Sequence, residues 1–294
     1  MKVFLYRIIC GFFLGISILA PGFSGSIVAI AMGIYHDILR IISNPLKKLK
    51  ENVIFCIPIG VGGIISVVLF VLAFSVLFES YEKAVYLLFV GLIAGSVPIV
   101  IKEVRKIDFK PHYLIGAAGA FIIAIAIGIF ATEAGLMTVE TTPTSNLPGF
   151  ALGGFAAGVT ALIPGMSLST ILVLLGVYSP LIYAARALLS MELLYLIPIG
   201  LFILCTVVGL MATARGIKYI FNKYPGFANT TVLGFIFGSL VSIMYQSHHI
   251  EDPNFTWLLG GIMLIAGLGI SILFILIGKF MNKNESENES EEIE

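Results

Sequence analysis

Charged side chains are scarce in this chain. Asp, Glu, Lys and Arg make up 12% of its 294 residues, against roughly 25% in soluble globular domains, and hydrophobic residues make up 59%. The 17 basic and 17 acidic side chains cancel, which argues against a nucleic-acid partner. A composition with so few charges is that of a membrane protein, and it predicts several spanning helices.

Cysteine and the familiar catalytic patterns are also lacking. Cys10, Cys56 and Cys205 lie within apolar runs and fit neither a metal site nor a disulfide framework. The sequence contains no H-E-x-x-H, no Walker A pattern, no nucleophile–base constellation and no mid-span pair of carboxylates. We therefore expect no metal, no cofactor and no enzymatic activity. No pattern in the sequence indicates that the protein is driven by ATP hydrolysis.

A short pattern occurs twice in the chain. P-G-x-S-x-S, followed by G-x-Y, begins at Pro21 and again at Pro164. Each copy interrupts a long apolar stretch with a Pro-Gly break and hydroxyl side chains. Paired interruptions in the two halves of a membrane protein point to a substrate site.

Each half contains the same series of apolar segments. In the first repeat, residues 1–131, they are a broken hairpin at 4–42 and spans at 54–78, 84–101 and 113–131. In the second repeat, residues 147–281, they are a broken hairpin at 147–189 and spans at 193–213, 230–245 and 257–280. Residues 132–146 form an outer linker, and residues 282–294 form an acidic cytoplasmic tail that we expect to be disordered.

The basic residues predict the orientation. If each broken segment returns to the side it left, 15 of the 17 Lys and Arg lie on one side, with only Lys83 and Arg186 opposite; if it crosses singly, they divide 8 to 9. Cytoplasmic loops are enriched in Lys and Arg, so this favours returning hairpins and two cytoplasmic termini. Three spans per half then invert the second half, as in many transporters. The Ser-rich tips favour a re-entrant hairpin over one that crosses completely, although the count fits both.

The Pro-Gly breaks place helix N-termini inside the membrane. Pro21 and Pro164 end the first arms because proline lacks an amide proton, and Ser24 then occupies an N-cap-like position. A helix N-terminus offers unpaired amides and a positive dipole end, which suit phosphate or another anion. The alternative is that these residues only kink a helix, with each hydroxyl bonded to its own backbone. The candidate binding residues are Gly22, Ser24, Gly25, Ser26, Gly165, Ser167, Ser169 and Thr170.

Other polar residues flank the hairpins. Arg186 could collect an anionic headgroup from the outer leaflet or snorkel to water, and Glu192, six residues on, is a candidate partner. His36 and Asp37 suit either proton coupling or a solvated interfacial pair. Tyr35 and Tyr178, the tyrosines of the repeated G-x-Y, suit an anchor at the membrane interface and a lining of the site equally well.

The repeated pattern resembles that of a known family. P-G-x-S-x-S with G-x-Y, together with G-x-x-x-G-S at Gly91–Ser96 and Gly234–Ser239, is similar to the bacterial polyprenyl-phosphate transporters, once catalogued only as a domain of unknown function. The resemblance extends from about Arg7 to Gly278. The family more often has glycine where this chain has Leu168, so the second tip is expected to be less open than the first.

The resemblance implies an all-α, multi-pass protein of the bacterial cytoplasmic membrane. It further implies return of undecaprenyl phosphate, the lipid carrier of cell-wall synthesis, from the outer to the inner leaflet. The phosphate would be held by the motif residues while the isoprenoid tail stays in lipid.

The two glycines of each G-x-x-x-G-S pattern have small-xxx-small spacing. This spacing predicts close helix packing rather than ligand contact.

Two other functions compete with a lipid-phosphate translocase. A channel or exchanger for a small inorganic anion could have identical tips. A membrane enzyme acting on a lipid phosphate is disfavoured because general catalysis needs a titratable group within hydrogen-bond reach. A coupling proton or sodium ion and a second copy of the chain are further partners that the sequence leaves open.

Overall fold

A computed structural model describes the chain apart from residues 1, 22–27, 30–31, 35–36, 39–40, 42–47, 107–109, 134–145, 162, 164–165 and 292–294. The regular secondary structure of the described residues is helical throughout. The helices are α1 (Lys2–Leu19), α2 (Leu49–Arg105), α3 (Tyr113–Glu133), α4 (Leu147–Thr160), α5 (Leu168–Leu174), α6 (Tyr178–Leu189), α7 (Leu196–Lys223), α8 (Pro225–His249) and α9 (Trp257–Glu291), with a 3-10 turn at Leu193–Tyr195.

Several of these helices have the length and composition of membrane spans. Among the described residues, four are long and apolar enough to cross a membrane, or five if the bent pair α5–α6 is one span. At 57 residues, α2 would extend about 85 Å, far more than the roughly 30 Å of a hydrocarbon core. Its helix breaks at Tyr81 (φ −147°, ψ 43°) into a first arm, residues 49–80, and a second arm, residues 82–105. The chain is therefore an all-helical, multi-pass membrane protein.

The glycine of the repeated G-x-Y makes the same turn in both copies. Gly33 has φ 62° and Gly176 has φ 70°, in the left-handed region that favours glycine. In each copy the amide that follows this glycine donates to the carbonyl five residues back, over 3.0 Å in the first copy and, from Val177 to Leu172, over 2.9 Å in the second. The turn after α5 bends the chain by 109° into α6. These two turns therefore share one backbone geometry as well as one sequence pattern.

Alanine at Gly176 is expected to destabilise the protein. A side chain in the left-handed conformation costs roughly 1–2 kcal/mol. Gly200 is the matched control, because it lies within α7 and a Cβ there meets open space; alanine should stabilise that helix by up to about 1 kcal/mol. Thermal unfolding of the detergent-purified variants should thus shift in opposite directions. A shift of the same sign in Gly176→Ala and Gly200→Ala would contradict the turn assignment.

Glycines bring each hairpin arm into contact with the span that follows it. Gly11 on α1 packs against the backbone carbonyl of Ile59 in the first arm of α2, and Gly154 on α4 packs against that of Phe202 in α7. The interval in sequence from Gly11 to Gly154 equals that from Ile59 to Phe202, and both equal the interval between the two Pro-Gly breaks. A Cβ at either glycine would overlap the carbonyl, so close approach of the two backbones requires glycine here.

The last span of each half packs against the other half. Gly91, on the second arm of α2, lies against the carbonyl of Leu264 in α9, and Gly234, on α8, lies against that of Ala117 in α3. The close helix packing predicted for these glycines is confirmed. Because α9 belongs to the second half and α3 to the first, the two halves interlock.

An aromatic cluster joins the second hairpin to the first half. The Tyr178 ring, at the start of α6, is 5.1 Å from that of Phe89 and 5.9 Å from that of Phe78. Its hydroxyl donates a 2.7 Å hydrogen bond to the carbonyl of Leu19, the last residue of α1. Tyr178 is therefore a buried residue between the halves, which differs from the interfacial anchor considered above.

Residues 282–291 of the acidic tail continue the last helix. α9 reaches Glu291, whereas the composition of residues 282–294 predicts a disordered tail. Glutamate and lysine have good helix propensity, and extension of an existing helix avoids the cost of nucleation. The difference therefore has a local cause that needs no packing partner.

Candidate functional site

The second Pro-Gly-Ser tip is described from Met166 onward, and its serines lie together. Ser167 is the N-cap of α5, with extended backbone (φ −101°, ψ 135°), and its hydroxyl makes no capping bond to the helix. Instead, the Ser167 and Ser169 hydroxyl oxygens are 2.8 Å apart. The amide of Thr170 donates to the carbonyl of Ser167 over 3.1 Å. Ser167 thus has the N-cap position predicted for its counterpart Ser24, but its hydroxyl faces another side chain.

The hydroxyl pair retains a donor. One hydroxyl proton forms the bond between Ser167 and Ser169, and the other can serve a further acceptor. Both side chains are buried, as is Thr170. Buried polar groups normally have their bonding capacity used, so a hydroxyl pair in an apolar setting favours an anion or water beside it. The two serines of this copy bond to each other rather than each to its own backbone.

A small cavity adjoins the pair. Ser167 and Thr170 face Ser96 of the second arm of α2 across it, and the walls are Ile93, Met166, Phe235 and Ile236. Its volume is about 10 Å³, enough for roughly one water molecule. Ser96 belongs to the G-x-x-x-G-S pattern of the first half, so the cavity joins motif residues from both halves. A phosphate group is larger than water, so the walls must separate before one can bind.

Much of the predicted site falls outside the described residues. The residues concerned are Gly22, Ser24, Gly25, Ser26, Tyr35 and His36 of the first copy, and Pro164 and Gly165 of the second. Pro21 is described and is buried just beyond the end of α1. The meeting of the two tips stays a prediction.

Arg186 is not part of the serine cluster. It lies near the C-terminal end of α6 and forms an ion pair with Glu79 of α2. The partner considered from the sequence, Glu192, comes after α6 has ended at Leu189. The chain has left the helix before it reaches Glu192, with Met191 at φ 68°, so proximity in the sequence did not identify the partner of Arg186. Glu79 was not singled out from the sequence.

A larger cavity lies beside this ion pair. It has a volume of about 270 Å³ and separates α2 from α6. Two carboxylates, Glu79 and Glu82, face it. They lie on either side of the break at Tyr81, so no helical spacing in the sequence indicates that they share a cavity. The lining residues are Ser75, Phe78, Glu79, Glu82, Ser179, Ile182 and Tyr183.

A buried glutamine holds the end of α5 in place. The side-chain amide of Gln246, on α8, donates a 2.6 Å hydrogen bond to the carbonyl of Leu174, the last residue of α5. Gln246 is fully buried. Carbonyls in the last turn have no partner within their helix, so this bond stabilises the α5 end just before the 109° bend.

Replacing Gln246 by leucine should weaken the bend. The Leu174 carbonyl would lose its partner, at a cost of about 1–3 kcal/mol for a buried acceptor. The neighbouring Ser247→Ala is the control, since that hydroxyl bonds within its own helix, to Met244. Unfolding in detergent should show a clearly lower midpoint for Gln246→Leu than for Ser247→Ala; equal midpoints would contradict this role.

The fold and these polar groups define a class. This is a multi-pass helical membrane protein with a sharply bent helix pair, α5–α6, and buried hydroxyls that adjoin a small cavity. Residues 14–256 match the family described as VCA0040-like, undecaprenyl phosphate translocase-like, and the chain belongs to this family.

Two curated relatives agree with this membership. The chain is 25% identical to the polyprenyl-phosphate transporter of Staphylococcus aureus over 285 residues, which cover 95% of this chain and 98% of the relative. It is 24% identical to the polyprenyl-phosphate transporter of Vibrio cholerae over 247 residues, covering 79% of this chain and 75% of the relative. Both are named as transporters. No solved structure matches the chain significantly.

Proposed function

We propose that this chain is a translocase that returns undecaprenyl phosphate from the outer to the inner leaflet of the bacterial cytoplasmic membrane. The headgroup binds at paired half-helix N-termini, and the isoprenoid tail remains in lipid. The protein works by alternating access and performs no chemistry on its substrate. Its product feeds the lipid carrier pool of cell-wall and peptidoglycan synthesis.

The family match over residues 14–256 is the observation that carries this proposal. The chemistry of the tip supports it. A phosphate monoester is an acceptor with several oxygens, and the hydroxyls of Ser167 and Ser169 with the amides at the start of α5 are donors. Neutral donors of this kind bind an anion without the cost of a buried lysine or arginine.

The proposed topology is an inverted repeat with both termini in the cytoplasm. Each half contributes a re-entrant hairpin and three spans, so the second half is upside down relative to the first. The distribution of Lys and Arg supports this orientation. The glycine turns and glycine contacts that recur at equivalent positions of the repeat support two equivalent halves. Halves of this kind rock against each other and so expose a central site first to one side of the membrane and then to the other.

Depletion of the protein in living bacteria tests the direction of transport. Surface-exposed undecaprenyl phosphate should rise when the chain is depleted and any redundant transporter is removed, and it should fall again when the wild-type chain is restored. An unchanged outer-leaflet pool would contradict the proposal.

Reconstitution in liposomes separates the competing functions. Purified protein should move undecaprenyl phosphate between leaflets and return it chemically unchanged. Flux of chloride or inorganic phosphate without any lipid dependence would instead indicate an anion channel or exchanger. Imposed proton and sodium gradients, applied one at a time, would identify a coupling ion.

A further inference from the structure

Two helices, one from each half, enclose the larger cavity. α2 contributes residues on both sides of its break at Tyr81: Ser75, Phe78 and Glu79 from the first arm, and Glu82 from the second. α6 contributes Ser179, Ile182 and Tyr183, which lie on one side of that helix, and Arg186 follows on the same side one turn further along.

Different contacts close the two ends of this space. At the start of α6, Tyr178 packs against Phe78 and Phe89. About 12 Å further along the helix, Arg186 reaches across to Glu79. The aromatic contact is buried, whereas the ion pair is partly accessible, with 35% of the Arg186 side chain and 53% of the Glu79 side chain exposed. Separating α2 from α6 therefore costs less free energy at the ion pair than at the aromatic contact.

The ion pair leaves no net positive charge at this end of the cavity while it is formed, because Glu79 neutralises Arg186. A headgroup with one or two negative charges therefore meets no net attraction there. A headgroup that binds the guanidinium competes with Glu79 for its donors, and arginine suits phosphate as well as it suits carboxylate.

The ion pair has no counterpart in the other half of the repeat. With the offset that relates Pro21 to Pro164, the position equivalent to Glu79 is Asn222, and the position equivalent to Arg186 is Ser43. Neither side chain is charged, so the corresponding contact between the halves cannot be ionic. The ion pair therefore holds helices of the two halves together on one side of the molecule only. By the proposed topology, that is the outer side.

We propose that Glu79 is an internal competitor of the phosphate headgroup for Arg186, and that their ion pair latches α2 to α6 until a headgroup displaces it. The latch rests on the proposed function, because it assigns the outer loading step of that same transport cycle. It makes opening of the cavity depend on the arrival of an anionic lipid. Glu79 acts here as a gating residue, and Arg186 as the first contact of the headgroup.

Accessibility of a cysteine in the cavity tests the latch without any transport measurement. The three native cysteines are replaced, Ser179 is changed to cysteine, and cells are treated from outside with a membrane-impermeant maleimide. Glu79→Gln should raise the labelling rate roughly two- to fivefold, as expected for loss of a partly exposed ion pair. The charge swap E79R/R186E should restore the slow rate.

Glu192→Gln is the matched control. This residue is another carboxylate close to Arg186 in sequence, but Arg186 pairs with Glu79 instead. Its removal should leave the labelling rate unchanged. Equal rates in wild type and Glu79→Gln, or a swap that stays fast, would overturn the latch. Neither result would affect the depletion test of the proposed function.

Addition of ligand tests the competition itself. Farnesyl phosphate, a short prenyl monophosphate, should accelerate labelling of the wild-type background and have no further effect in Glu79→Gln. Arg186→Gln should not respond to it. Inorganic phosphate at the same concentration should have little effect; an equal effect would count against a lipid headgroup as the ligand. No response to either phosphate, with Glu79→Gln still fast, would overturn the competitor role.

Discussion

Joint replacement of Ser167 and Ser169 by alanine is expected to lower undecaprenyl phosphate transport in liposomes by at least about tenfold. A hydrogen bond to a charged group contributes roughly 1.5–3 kcal/mol, and the pair supplies hydroxyl donors at the start of α5. The two losses should not be additive, because the hydroxyls bond to each other. Each single alanine variant keeps one hydroxyl donor, so it should retain an intermediate activity.

The experiment must distinguish a loss of protein stability from a loss of phosphate binding. Ser66→Ala is the control, since Ser66 is also buried and its hydroxyl bonds within its own helix, to the carbonyl of Gly63, over 2.8 Å. It should leave transport near the wild-type rate. Full activity of the double variant S167A/S169A, at equal protein level, would remove the serines from the binding site.

Valine at Gly234 is expected to prevent normal assembly of the two halves. A Cβ there would overlap the carbonyl of Ala117, so α8 and α3 would have to move apart. Overpacking of a tight contact typically costs about 1–3 kcal/mol, and the cost is higher where the obstacle is backbone rather than a mobile side chain. The folded yield and the unfolding midpoint in detergent should both drop.

The contrast with an open glycine makes this prediction specific. Gly269, in α9, has no atom near the position of a Cβ. Gly269→Val should therefore fold almost as well as wild type, although both changes add the same side chain to a membrane helix. Gly91→Val should behave like Gly234→Val, because Gly91 makes the corresponding contact with Leu264. Equal stability of all three would contradict the interlocked arrangement.

The sequence was informative wherever the cause of the structure is local. Glycine at positions 33 and 176 and serine at position 167 have conformations that follow from their own backbone chemistry. The small-xxx-small spacing predicted close packing because a glycine stripe has few other uses in a membrane helix. Such spacing does not identify the partner helix. The packing of α3 against the second half, and of α9 against the first, was therefore not predicted.

The polar contacts between the halves were beyond reach of sequence patterns. Glu79 and Arg186 are 107 residues apart, and they meet because α2 breaks at Tyr81 and α6 follows a 109° bend. Gln246 was missed for a similar reason, since its partner is a backbone carbonyl on another helix. Contacts of this kind depend on helix placement, whereas periodicity reports only which residues share a face.

The phosphate position in a complex with undecaprenyl phosphate tests the central claim most directly. A cryo-EM map of the protein with this lipid should place the phosphorus within hydrogen-bond reach of Ser167 and Ser169, with Ser24 and Ser26 on its other side. The isoprenoid density should leave between helices into the bilayer. A headgroup bound away from both serine pairs, or two tips too far apart to share one phosphate, would contradict the account.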